Sequence, residues 1–304
     1  MNTNENNNSV TTIKELEDMR VSINMTRGII TSIVIIIGVV LAFITHTIEF
    51  FVFSIIIGIF ISAIATYGKA KNFNLLYKNT IVLSVFKKLF NNINYNPDFG
   101  ISRDVIASTE MVDMGNEYES NDYLSATYKN IKFETADVTI TQVTHDSKGN
   151  THRSTYFKGQ WYVFDFNKNF KSNIQVCEYS FMHNKTGGLF SSNRLRKIEL
   201  EDMEFHKKFE VFAQNDLEAF YILTPSVIQR IKLLEEKING ALILCFVNNK
   251  LHLGVHNYKD FFEPSLSRPI NLEQDEQNIL NSTNDIINFI NDLQLDNDLF
   301  RREV

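Results

Sequence analysis

The sequence predicts an α+β protein: an N-terminal transmembrane helical hairpin followed by a cytosolic domain with a mainly antiparallel sheet and packed helices. Three observations predict it. Two uncharged apolar runs, residues 28–45 and 50–67, lie in succession. Residues 68–95 then carry five Lys and no acid. Beyond them, stretches of alternating Thr, Val, Tyr and Phe give way to segments with helical apolar spacing. The mean hydropathy of −0.15 over 304 residues averages these unlike parts.

Each apolar run holds 18 residues, about 27 Å of helix, close to the hydrocarbon thickness of a bilayer. Only His46-Thr47-Ile48-Glu49 separates them, so they pair as a hairpin with both termini on one side. A cleaved leader fits poorly, because the polar lead is 27 residues long and a second span follows. Lys14, Arg20 and Arg27 precede the first span, Lys69, Lys71 and Lys78 follow the second, and the turn has no base. The positive-inside bias puts both ends in the cytoplasm. Neither span has an ionisable residue, which favours an anchor over a transport path. Ser54, Gly58 and Ser62 recur every four residues, as do Gly38 and Ala42. Small residues at that spacing serve close packing within the hairpin or homo-oligomerisation, with the first weighted above the second.

Charge divides the chain further. Residues 1–27 form a cytosolic segment, with 1–10 expected to be disordered and Thr12-x-x-Glu15 opening a helix. Residues 68–95 form a basic juxtamembrane helix, whose Lys69, Lys71, Lys78, Lys87 and Lys88 are the expected contacts with an anionic membrane surface. Residues 96–304 carry a net −9. An acidic total of 36 against 30 bases disfavours nucleic acid, and two Cys fit a reducing compartment, not a disulfide scaffold.

Within 96–270, residues 101–114 read as helical. Residues 123–143 and 152–176 read as strands of a half-buried antiparallel sheet, turning at Asp146–Asn150. Residues 178–194 are a long polar connection, and strands resume at 195–200 and 208–214. Asp216 can cap a helix packed by Ala219 and Tyr221. Thr224-Pro225 starts the next, with Val227, Ile231, Leu234 and Ile238 as its core stripe. Residues 241–247 form a strand, and Asn248-Asn249 turns tightly into a second at 250–256. In 271–304, Asn271-x-x-Gln274 opens an amphipathic helix with Leu272, Ile279, Ile286, Ile290 and Leu293 on one face.

No phosphate loop, His-Glu-x-x-His, Cys-x-x-Cys or Gly-x-Ser-x-Gly occurs. No catalytic, cofactor-binding or metal residue is assigned. Ser84-Val85-Phe86-Lys87 has a nucleophile–base spacing that short chance matches also give. His145, Asp146 and His152 flank one turn and are the best metal candidates, though exposed turn residues explain them more simply. Cys177 reads as a buried sheet residue, and His252 and His256 lie too far apart on a strand to share a zinc. Glu204, Asp216, Glu218 and Glu263 would make an acidic site only if they converged; acids at helix starts more often serve the helix dipole.

Four stretches carry a family resemblance: Phe157-x-Gly159-x-Trp161; Leu200-Glu201-Asp202-x-Glu204-Phe205-x-x-x-Phe209-x-Val211; Asp216-x-Glu218-Ala219-x-Tyr221-Ile222-Leu223-Thr224-Pro225; and Phe262-Glu263-Pro264. Spread over roughly residues 95–270, they resemble an uncharacterised bacterial family of two-span membrane-anchored proteins, a domain of unknown function. The resemblance implies a cytosolic α+β region behind a hairpin and transfers no activity. The expectation is therefore a cytoplasm-facing interaction or scaffold protein of a bacterial plasma membrane. Its partners would be the lipid bilayer, a protein held by the cytosolic domain or C-terminal helix, and a further copy of itself. The alternatives are a membrane-tethered enzyme and a small-molecule or lipid sensor with 178–194 as lid.

Overall fold

The computed structural model of the chain describes residues 3–184 and 195–293. Its helices are α1 (Thr3–Thr45), α2 (Glu49–Tyr77), α3 (Leu83–Leu89), α4 (Arg103–Ala107), α5 (Met203–His206), α6 (Asp216–Ile222), α7 (Pro225–Lys237) and α8 (Leu272–Asp292). Its strands are β1 (Asn91–Asn96), β2 (Glu117–Tyr128), β3 (Ile131–His145), β4 (Thr151–Glu178), β5 (Arg196–Ile198), β6 (Phe209–Ala213) and β7 (Ala241–His256). The chain is α+β, with two long apolar N-terminal helices. It divides into two compact units, Met1–Val85 with Phe262–Ile279, and Phe86–Phe261 with Leu280–Val304.

In the first unit α1 and α2 form an antiparallel hairpin. Small residues set its closeness. A Cβ on Gly38 would fall 2.2 Å from Ser54 Oγ, and one on Gly58 would meet Thr31 at 3.3 Å. Ser54, Gly58, Ser62 and Thr66 are the buried residues of the apolar part of α2. Their hydroxyls donate to carbonyls one turn back, Ser54 to Phe51 at 2.7 Å and Ser62 to Ile59 at 2.9 Å, so no polar group is stranded in the contact. The four-residue stripe is thus occupied inside the hairpin. The large side chains point away: Ile33, Ile36, Ile56 and Phe60 are 53–66% exposed. Both helices are long and apolar enough to cross a membrane, and only 6% and 22% of their most apolar windows is covered by protein.

Residues 262–279 close the base of this hairpin. Arg20 and Asn24 both donate to the Leu266 carbonyl, at 3.2 and 2.7 Å, and Ile270 N–H donates to Glu17 at 3.1 Å. Glu263 accepts from Asn74 at 2.7 Å and pairs with Lys78. Helix α1 begins at Thr3, within the stretch expected to be disordered. The juxtamembrane helix expected over 68–95 passes instead through a π-helical turn at Lys78–Val82 and stops at Leu89. The chain then enters strand β1, a pairing that the Asn-rich sequence did not signal.

The second unit is built on a seven-stranded antiparallel sheet, ordered β1-β2-β3-β4-β6-β5, with β7 on the other side of β4. Strand β4 is its spine, pairing with β3 over its first half, with β6 over Ile174–Glu178 at its end, and with β7 along most of its length. The half-buried sheet is corrected here. Trp161, Val163, Phe157, Cys177 and Ile243 pack into one cluster with Ile106 and Met111. The alternate residues are buried too: Tyr162 meets Phe289 of α8 at 4.8 Å, and Phe133 meets Phe90 at 5.0 Å. Helices and loops cover both faces of β4 at Trp161–Phe164, so period-two polarity fades there.

Three local expectations also change. Asn248-Asn249 is no hairpin turn. Strand β7 runs through it against β4, with Asn248 at φ 55° opposite Phe170 in an irregular stretch of register, and the partner strand's length holds the chain extended. The single run 123–143 is in fact two strands turning at Lys129-Asn130, both at positive φ. Only 103–107 of the predicted 101–114 helix forms. What fixes the rest is a buried knot in which Asn173 and Gln175 donate to the Thr109 carbonyl at 2.9 and 2.7 Å. Asp146–Asn150, by contrast, turns as expected, with Asp146 Oδ1 accepting from Lys148 and Asn150 N–H at 2.8 Å.

Candidate functional site

Helix α6 presents an exposed apolar face in the second unit. Asn215, rather than the expected Asp216, caps it, its side-chain oxygen accepting from Leu217 and Glu218 N–H at 3.0 and 3.3 Å. Leu223 leaves helical geometry before Thr224-Pro225, where Thr224 caps α7 as expected. Seven residues therefore make two turns, and both faces are apolar. Ala219 and Ile222 face inward. Leu217, Phe220 and Tyr221, at i, i+3 and i+4, remain 79%, 48% and 65% exposed. Tyr221 was expected to pack the helix; it faces solvent because Ala219 and Ile222 already occupy the inward side. The signal in the sequence was an excess of apolar residues over what one buried face of so short a helix can use.

A polar cleft of about 370 Å³ lies on the sheet, lined by Asn92, Ser125, Thr127, Lys132, Glu134, Asp165 and Lys250 among others. Lys250 and Asp165 are ion-paired across β7 and β4. Nearby in sequence, Asp137 of β3 is buried and accepts from Gln160 Nε2 and Phe261 N–H, each at 2.9 Å. Burial is the main cause that pushes its carboxyl up to about 7, against those two donors, with Asp122 and Asp260 adding to the rise. Burial pushes the His252 imidazole down to about 4; the ring accepts from Trp161 Nε1–H at 3.3 Å. His256 accepts from Lys158 N–H at 3.0 Å. These groups tie strands together, and none was singled out as a site from the sequence.

The expected membrane-facing lysines divide. Lys69, Lys71, Lys87 and Lys88 are exposed. Lys78 is corrected: it is 4% exposed and its ammonium pairs with Glu263, so it is held as a structural ion pair and withdrawn from the surface. Lys69 also lines a groove of about 640 Å³ along α1, beside Lys14, Glu15 and Asp18.

The other candidates fall into local roles. His152 approaches Asp146 at 3.6 Å and His145 meets Thr151 at 3.1 Å, all around an exposed turn. Among the described residues no group of three or more His, Cys, Asp or Glu could hold a metal. Ser84 Oγ donates to the Ile81 carbonyl at 2.8 Å, and Lys87 is exposed on the helix surface. Glu204 pairs with Lys207 at 2.7 Å, and Asp216 and Glu218 sit in the first turn of α6. Cys177 and Cys245 are both buried thiols, and Cys245 Sγ–H donates to Asn173 Oδ1 at 2.8 Å. The lid expected at 178–194 lies from 185 onward outside the described residues, as does the tail beyond 293.

Comparison with curated proteins finds no match. A solved structure of the mycobacterial trehalose monomycolate transport factor A, TtfA, is similar at 7% identity and a TM-score of 0.37, over 71% of this chain and 93% of that one. Residues 155–295 match the model of a family described as "Protein of unknown function (DUF3137)". The resemblance to an uncharacterised family is thereby borne out across the second half of the chain, from Phe157 and Trp161 through α6 and α7 to α8.

Proposed function

We propose that this chain is a membrane-anchored interaction protein of a bacterial plasma membrane, its hairpin in the bilayer and its sheet unit facing the cytoplasm. The observation that carries the reading is where large apolar side chains are left uncovered. Most lie along α1 and α2, where a bilayer would cover them, and in the sheet unit three of them share one face of α6, where a protein would. Lys14, Arg20, Arg27, Lys69 and Lys71 on the polar flanks, with none in the turn, support cytoplasmic termini. Exposed Lys69, Lys71, Lys87 and Lys88 are positioned in sequence to meet anionic headgroups, each worth about 1 kcal/mol near the surface. The small-residue stripe is used within the hairpin, so self-association would need another surface.

Thiol labelling of intact cells tests the topology. A single cysteine at residue 47 should react with an impermeant reagent and one at residue 150 should not; labelling at 150 overturns the orientation. Extraction tests the anchoring. The full chain should stay with membranes in alkaline carbonate and leave them only in detergent. Recovery of the solubilised, N-terminally tagged chain should bring a protein with it; recovery of the chain alone counts against the interaction role. The polar cleft favours one second reading, the binding of a small zwitterionic ligand between Lys132 and Glu134, which Lys132→Ala would weaken.

A further inference from the structure

The acidic setting of α6 says what kind of surface covers it. From Gln214 to Ser226 the chain carries Asp216 and Glu218 and no Lys, Arg or His. Asp216 is exposed beside Leu217, and Glu218 is partly so. An apolar trio with an acidic rim discriminates among occupants. A second copy would bring the same two acids to the same apolar centre, and like charges across a contact oppose pairing. An anionic lipid surface would repel the rim in the same way. A groove edged with Lys or Arg would gain on both counts, by covering the trio and pairing with the rim.

We propose that α6 is a docking helix: Leu217, Phe220 and Tyr221 insert as i, i+3 and i+4 anchors into an apolar groove, edged with Lys or Arg, on a protein partner. Three such side chains cover on the order of 300 Å² on one partner, well under the roughly 800 Å² per side of a standard interface. The contact is therefore weak and quickly exchanging, and its association rate falls with salt. The inference rests on the interaction role proposed above and names its surface and partner chemistry.

The test uses the full chain in its native membranes, with a photo-crosslinking side chain in place of Leu217 and, as a control, in place of the exposed Leu233 of α7. The expected result is a protein adduct at 217 and not at 233, with a crosslinked peptide of apolar residues flanked by Lys or Arg. The paired change Asp216→Lys and Glu218→Lys should lower adduct yield at least tenfold at low salt, and Asn215, the capping residue, is left intact so that α6 still forms. An unchanged melting temperature of the charge-reversed chain checks that it does. An adduct with a second copy, with lipid, or with an acidic peptide overturns the proposal, as does equal yield at 217 and 233 or no adduct. If the tagged chain still recovers a protein while 217 gives no adduct, the docking helix is wrong and the interaction role stands. If neither occurs, both fall.

Discussion

Along the apolar part of α2 the residues turned inward are Ser54, Gly58, Ser62 and Thr66, while along β4 they are Phe157, Trp161, Tyr162, Phe164 and Val176. The hairpin contact is made of the smallest residues in its helices, and the sheet core of the largest in its strands. The difference teaches which force holds each. Removing Trp161 or Phe157 from water favours the sheet unit directly. Ser54 and Gly58 have little surface to remove. They favour pairing by letting two backbones approach, which matters where the surroundings are as apolar as the helix. Chains with the same overall apolar content can therefore use it in opposite directions.

Trp161→Ala should break the sheet side of the comparison most severely. The ring is fully buried and meets Phe157 at 5.3 Å edge-on. Its loss should cost about 3–5 kcal/mol, read as a fall in the denaturant midpoint of the detergent-solubilised chain. Next in size, Gly38→Leu should open the hairpin, because even a Cβ there overlaps Ser54. Overpacking of this kind costs about 1–3 kcal/mol. Spin labels at the exposed positions Ile33 and Ile57 should move apart, and an unchanged distance would show that small size is not what sets the spacing.

The Lys78–Glu263 pair sharpens the comparison with a polar contact. Glu263→Ala leaves a buried ammonium with a lost partner and should cost on the order of 2 kcal/mol, whereas Lys78→Met removes the charge and should be nearly neutral. Thermal melting of the two variants separates them.

The smallest effect is pH-dependent. Asp137 has its carboxyl raised to about 7 in the folded chain, so it is protonated there at pH 6 and charged at pH 8. The unfolded chain is ionised throughout that window. The folded state therefore binds the extra proton, and stability falls as pH rises through 7, by about 1 kcal/mol between pH 6 and 8. His252 opposes that slope: its folded value of about 4 lies below its ordinary 6.5, so the unfolded chain takes up the proton as pH falls toward 6, and its own contribution to stability rises between pH 6 and 8 by somewhat under about 1 kcal/mol. Asp137→Asn should abolish the fall between pH 6 and 8 and uncover the small rise that His252 contributes; a retained fall would assign it elsewhere.

How much of this was legible in sequence depended on whether one local rule decided the outcome. The hairpin was legible because uninterrupted apolar runs have few alternatives. The Asp146–Asn150 turn and the Thr224-Pro225 helix start were legible because a side-chain oxygen sits where backbone N–H groups need it. Asn248 misled because the same residue type serves a hairpin turn and a kink in a continuous strand; only the length of β4 opposite it decides. Phe289, which closes one face of the sheet, went unmarked although the helix around it was correct, because Tyr162 lies more than a hundred residues away. The outward trio on α6 showed in the sequence only as an excess of apolar residues. Periodicity shows that a face is apolar and not whether the fold covers it.

The strap over the hairpin has a consequence for the order of synthesis. Lys78 and Glu263 are 185 residues apart, and Arg20 is 246 residues from the carbonyl it holds. At roughly 5–20 residues per second of translation, the hairpin is complete about 10–40 s before the segment that ties its base can exist. During that interval the Glu263 carboxylate that pairs with Lys78 and the Leu266 carbonyl that accepts from Arg20 and Asn24 do not yet exist, and the whole sheet is made before they do. Closure of the hairpin's base is thus a late event, available to report that the intervening unit has been made and has brought its far end back.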